Sequence, residues 1–220
     1  MSGVFEKLRK TKVQSGLRWY EYGRLTHTKL RTPLSIAFAY VATHNHFVLD
    51  RGGKVFKQSA PIIKLPADAT EDDHLGLLGL LNSSTACFWM KQVMTGKHKG
   101  DGGPAHADPA YQRFEFAGTQ LENLPIPDQK PSTLSRHLDR LGHEYNYSLP
   151  AAIADRLLPT QDRLDEAKAA TTRVRGRMVA LQEELDWHCY HFYNLLSEEL
   201  RYDGDDLPEL TPGQRAFEIS

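Results

Sequence analysis

The sequence predicts an α+β fold: a small mixed or antiparallel sheet with packed helices, followed by a long helix and a C-terminal helical segment. Three observations carry this. Runs of β-formers crowd between residues 34 and 65, the apolar segment HLGLLGLLNSSTACFWMKQV (74–93) reads as a buried helix broken once, and a proline-free heptad-like pattern runs from Gln161 to Glu184.

The chain has 220 residues, of which 40% are hydrophobic and 25% charged, as in an ordinary globular protein with a real core. No apolar run is long enough to span a bilayer, and the N-terminal MSGVFEKLRK lacks a signal-peptide core. Cys87 and Cys189 are too few and too far apart for a disulfide framework or a cysteine zinc site, which fits a reducing, cytoplasmic setting. The net charge of −1 hides an asymmetry. Residues 1–100 hold 15 Lys/Arg against 7 Asp/Glu, a net of +8, and the remaining 12 against 21 give −9. A basic first half suits phosphate contacts; the alternative is an uneven scatter of solvated charge.

In order, residues 1–17 read as a polar, basic tail or linker, and 18–130 as an α/β domain. Arg18–Arg24 (RWYEYGR) interleaves aromatics with arginines, a pattern that stacks on bases or serves equally as an edge strand. LSIAFAYVAT (34–43) reads as a strand buried on both faces, HNHFVLD as a second strand, and VFKQSAPIIKLP as a third, kinked at Pro61. The turn between the last two is Arg51-Gly52-Gly53-Lys54, a hairpin signal. Thr70 is a predicted N-cap, with Glu71, Asp72 and Asp73 at the positive end of the helix dipole. Asn82-Ser83-Ser84 breaks the helix and caps the next, acting as a hinge that aims Lys91 and the following loop outward. Residues 95–110, with four Gly and two Pro, read as a long mobile loop. YQRFEF alternates like a half-buried strand ended by Gly118, and LENLPIP is an extended exit.

Residues 131–202 read as a helical segment and 203–220 as an acidic, loosely held tail. A first helix covers 132–148, and Leu149–Leu158 forms a short helix or turn. Leu164, Thr171, Met178 and Leu185, with Ala167, Val174, Leu181 and His188, make a seam that packs either within the chain or across a dimer. HCYHFYNLLSEEL then reads as an aromatic helix packing back on the body.

Chemical motifs are sparse. There is no glycine-rich phosphate loop, no Gly-x-Ser-x-Gly elbow and no His-Glu-x-x-His helix. His44 and His46 share a strand face without a nearby third ligand, and Glu184, His188 and His191 share a helix face better suited to hydrogen bonding. No metal site and no catalytic residue is assigned.

LLGLLNSSTACFWMKQV, followed at a distance by FEFAGTQLENLPIP, resembles the "LLNS … PIP" signature of target-recognition regions in adenine-specific DNA methyltransferases of the type IIG and BREX kind. THNHFVLDRGGKVFKQSAPIIKLP and LQEELDWHCYHFY extend the resemblance, over roughly Arg18 to Leu200, to the C-terminal region of the PglX kind of BREX type 2 phage-defence systems. The S-adenosylmethionine-binding glycine motif and the Asn-Pro-Pro-Tyr/Phe motif of that family are missing, and no Asn-Pro pair occurs. The resemblance thus implies a target-recognition-domain-like specificity portion, present as a fragment, split subunit or truncated product. It would hold no cofactor itself; S-adenosylmethionine would belong to a catalytic part elsewhere. The implied partners are double-stranded DNA and a methyltransferase catalytic subunit or other BREX components.

Charge and loop position, not the family signature, nominate the DNA contacts: Arg18, Arg24, Lys29, Arg31, Arg51, Lys54, Lys91, Lys97, His98 and Lys99 for phosphates, and His44 and Asn45 for base edges. Two other classes compete. The acidic, seam-bearing second half suits a protein-interaction module, and His44/His46 would be the centre of a metal-dependent nuclease.

Overall fold

The computed structural model describes residues 16, 18, 33–54, 56, 59–97, 112–198, 200–202, 207–211, 213 and 214. The chain divides into two units, residues 1–33 and 34–220; the account below concerns the second.

Two three-stranded antiparallel sheets share one continuous piece of chain. In the first, β1 (Ser35–Phe38) lies between β3 (Phe47–Asp50) and β4 (Ile62–Ile63), with Ile36 opposite Leu49 and Ile63. In the second, β6 (Arg113–Glu115) lies between β2 (Val41–Ala42) and β5 (Thr95–Lys97). LSIAFAYVAT is therefore two strands, because Ala39 and Tyr40 leave the first ladder for the second. The Tyr40 N–H bonds back to the Ser59 carbonyl at 3.2 Å, while its own carbonyl accepts from Phe116 N–H at 2.8 Å. All four β1 residues are buried, as expected of a strand covered on both faces. The start of the predicted mobile loop is ordered: Thr95–Lys97 pairs with Arg113–Glu115, while 98–111 lies outside the described residues.

Helix α1 (Glu71–Leu81) starts at a capping box, Thr70 and Asp73 each accepting from the other's backbone N–H. It is apolar all round because it is covered on two sides. Leu75, Leu78 and Leu81 join Ile36, Phe38 and Phe47 in the main core, while Leu80 faces Leu185 and Cys189. Gly76 and Gly79 make that second contact close: a Cβ at residue 79 would sit 2.0 Å from Ser135 Oγ. Asn82 ends α1, and Ser83 caps α2 (Ser84–Val93), accepting from Ala86 N–H at 3.1 Å and donating to Leu80 O at 2.7 Å.

After the single-turn α3 (Gly118–Leu121) come α4 (Ser132–Ser148), α5 (Pro150–Ala154) and α6 (Gln161–Phe192). The predicted seam packs inside the chain: α6 lies along α4, with Ala167, Val174 and Leu185 buried and Thr171 Oγ1 donating to Ser148 O at 3.0 Å. The separate aromatic helix is instead the last turns of α6. It stops where Asn194 takes a left-handed φ of 52° and Leu195 N–H reaches the Tyr190 carbonyl, at 2.9 Å. The chain then doubles back along α6. Tyr202 N–H donates to Glu184, and Leu210 N–H to Gly176 O at 3.3 Å, so part of the acidic tail is held. No helix among the described residues is long and apolar enough to cross a membrane.

Candidate nucleic-acid interface

The Asn82–Ser84 corner is clamped from both sides and is no free hinge. Phe47 N–H donates to Asn82 Oδ1 at 3.1 Å, and Asn82 Nδ2 donates back to the Phe47 carbonyl at 3.0 Å. Asn45 Nδ2 donates to Leu81 O at 2.7 Å and more weakly to Ser83 O at 3.3 Å. From α6, the buried Asp186 accepts Ser84 N–H at 2.7 Å, where a carboxylate also suits the positive end of α2. Ser84 Oγ and Tyr190 Oη lie 2.9 Å apart.

This corner floors a cleft of about 1060 Å³. One wall is the His44–His46 segment, which precedes β3 and is not part of the strand expected there, together with Phe47–Leu49 of β3 and Lys54; another is α2, through Cys87, Phe88 and Lys91. The rest comes from α4 (Ser135, Leu138, Asp139, Gly142, His143 and Asn146) and α6 (Met178, Gln182, Leu185 and Asp186). The His44 and His46 rings lie 4.0 Å apart, and His44 Nδ1 is 2.8 Å from Thr43 Oγ1. Burial first, then its neighbours His46 and Lys91, push the His44 pKa below its ordinary value. His44 is therefore neutral at pH 7 and available as a hydrogen-bonding group, while the cleft's standing positive charge comes from Lys54 and Lys91. Two carboxylates also line it, and both are engaged. Asp139 holds Arg51 at 2.7 Å, and Asp186 caps α2. Among the described residues no group of three or more His, Cys, Asp or Glu is placed to hold a metal ion.

Of the nominated contacts, His44, Asn45, Lys54 and Lys91 come together in this cleft. Asn45 spends its amide N–H groups on the corner, leaving its oxygen without a protein bond among the described residues. Arg51 joins Glu71 (2.6 Å) and Asp139 (2.7 Å), tying the turn after β3 to α1 and α4; that turn is not the predicted hairpin, because β1 lies between β3 and β4. Those hydrogen bonds, Asp139 foremost, raise its pKa further. Lys97 pairs with Glu115, whose carboxyl is held below the usual range by Lys97 and by the Tyr40 hydroxyl. Arg18 is exposed in the preceding unit. Arg24, Lys29, Arg31, His98 and Lys99 lie outside the described residues. Sequence reasoning did not nominate Phe88, which reads as core in an aromatic run yet stands 70% exposed, or the α4 and α6 residues that long-range packing delivers.

By class, the chain is an α+β module homologous to a segment of a much larger protein. It is 46% identical, over 217 residues and 95% of its own length, to the adenine-specific methyltransferase PglX of Streptomyces coelicolor (strain ATCC BAA-471 / A3(2) / M145). It covers 18% of that protein's length. The family model described as "Domain of unknown function (DUF7008)" matches residues 178–220, the second half of α6 and the chain beyond it. No solved structure matches.

Proposed function

We propose that this chain is the DNA target-recognition portion of a BREX-type adenine-specific DNA methyltransferase in phage defence. The observation that carries the reading is its 46% identity, over 95% of its length, to a segment of an adenine-specific methyltransferase. The sequence motifs for S-adenosylmethionine and for the target adenine are missing here, so methyl transfer belongs to a catalytic part outside these residues. In this reading the partners are double-stranded DNA and that catalytic subunit or other BREX components. Lys54 and Lys91 contact phosphates and set the register. His44 and the free oxygen of Asn45 read base edges. The catalytic part then flips the adenine out of the stack for methylation of its exocyclic nitrogen.

The test is fluorescence anisotropy of the purified chain on labelled duplex DNA across a salt series. Binding that weakens linearly with log salt is expected, and Lys54→Ala and Lys91→Ala should each lower the slope by about one. Absence of binding at low salt sinks the reading.

A further inference from the structure

We infer that the cleft beside the Asn82–Ser84 corner takes an unpaired nucleobase, stacked on Phe88, with the adjoining phosphates held by Lys91 and Lys54. The inference rests on the nucleic-acid reading above and adds to it a ligand state and a stacking residue.

Three observations carry it. Phe88 sits in the middle of α2, where its neighbour Trp89 packs against the main core, yet its own ring is 70% exposed and lines the cleft. Val48 of β3 lines the same cleft at 59% exposure. Two large apolar side chains open into one concavity form an apolar surface that a ligand can cover. The size also fits. About 1060 Å³ is at the upper end for small-ligand pockets, roomy for a nucleotide or two extruded from a duplex that lies across its mouth. The charge pattern favours a polyanion over an apolar peptide. Lys91 is one helical turn from Phe88, its ammonium 5.9 Å from the Phe114 ring centroid, so an aromatic face and a cation border the same cleft, as needed for a base and its phosphate. The carboxylates on the walls do not oppose this, because Arg51 neutralises Asp139 and the α2 N-terminus takes up Asp186.

The experiment uses the full chain and two labelled probes, a fully paired duplex and the same duplex carrying one bulged, unpaired nucleotide. The bulged duplex should bind tighter by roughly 5- to 100-fold, the size of one base–aromatic stack. In Phe88→Ala the two probes should bind equally. Phe88→Trp should keep the preference, with indole fluorescence quenched as the bulged probe is added. Thermal melts of both variants report on folding independently. The inference is overturned if paired duplex binds with a steep salt dependence but the wild type shows no preference, or if the preference survives in Phe88→Ala. If neither probe binds at low salt, the target-recognition reading itself has failed and takes this inference with it.

Discussion

The side chain of Asn82 pairs with the backbone of Phe47 in both directions, through hydrogen bonds of 3.1 and 3.0 Å, as a neighbouring strand would. The residue that ends α1 thereby also supplies a missing partner to the edge of β3, in a sheet ordered β3–β1–β4. The Asn-Ser signature is thus a structural joint between sheet and helices, and the cleft owes its floor to it.

Replacing Asn82 with alanine removes both bonds and leaves a partly buried backbone donor and acceptor unmet. A loss of about 2–3 kcal/mol in unfolding free energy is expected. Asn82→Asp keeps the acceptor but faces a carboxylate toward the Phe47 carbonyl, and should rescue little. Urea unfolding of the three proteins measures this.

Asp186→Ala should cost a similar amount, about 2–3 kcal/mol, because it strips the charged acceptor from the first N–H of α2 across the α6 contact. Amide exchange should locate the effect. Faster exchange at Ser84, with β4 unaffected, is the expected pattern, and uniform acceleration would argue against a local clamp.

The glycines separate by environment. Gly79→Ala drives a Cβ to 2.0 Å from Ser135 Oγ and 2.9 Å from Pro131, so α1 and α4 must part. The expected loss is about 1–3 kcal/mol. At Gly142, also helical, nothing lies within 4 Å of the new Cβ. Gly142→Ala should stabilise by about 0.5–1 kcal/mol through helix propensity and reduced freedom of the unfolded chain. Thermal midpoints moving in opposite directions are the readout.

His188 makes acid stability testable. Burial, with Arg201 and His191 nearby, pushes its pKa down to about 4, so at neutral pH its ring meets Glu184, 3.2 Å away, as a neutral group and not an imidazolium. The unfolded chain takes up this proton first. The stabilisation is therefore complete above the ordinary value of 6.5 and declines as pH falls from there toward about 4. Comparing urea midpoints at pH 7 and pH 5, His188→Gln should lose less stability on acidification than the wild type. An equal loss would place the effect on other groups.

Local chemistry made much of the fold legible. Thr70 and Ser83 are caps because a hydroxyl serves unmet N–H groups, and the break at Asn82 follows from side chains that compete for backbone bonds. The 132–148 helix and the core leucines follow from periodicity and hydrophobicity. Periodicity did not reveal that Ala39 and Tyr40 pass β1 into a second sheet, since a strand looks the same whichever ladder it joins. Nor did it show that α6 runs on to Phe192, because aromatic residues suit a helix interior only when packing supplies a surface for them.

For the site, the sequence alone determined the residue types on offer: the basic first half, the His-Asn-His segment, the Asn-Ser corner and the aromatic α2. Only tertiary structure decided which of them meet. Lys54 and Lys91, far apart in the chain, share a cleft with α4 and α6, whereas Arg51 and Lys97 are engaged by Asp139, Glu71 and Glu115. The physical reason is range. Caps and helix periods are settled within a few residues, but whether a cation is matched, or an aromatic ring left open to solvent, depends on elements up to a hundred residues away in sequence.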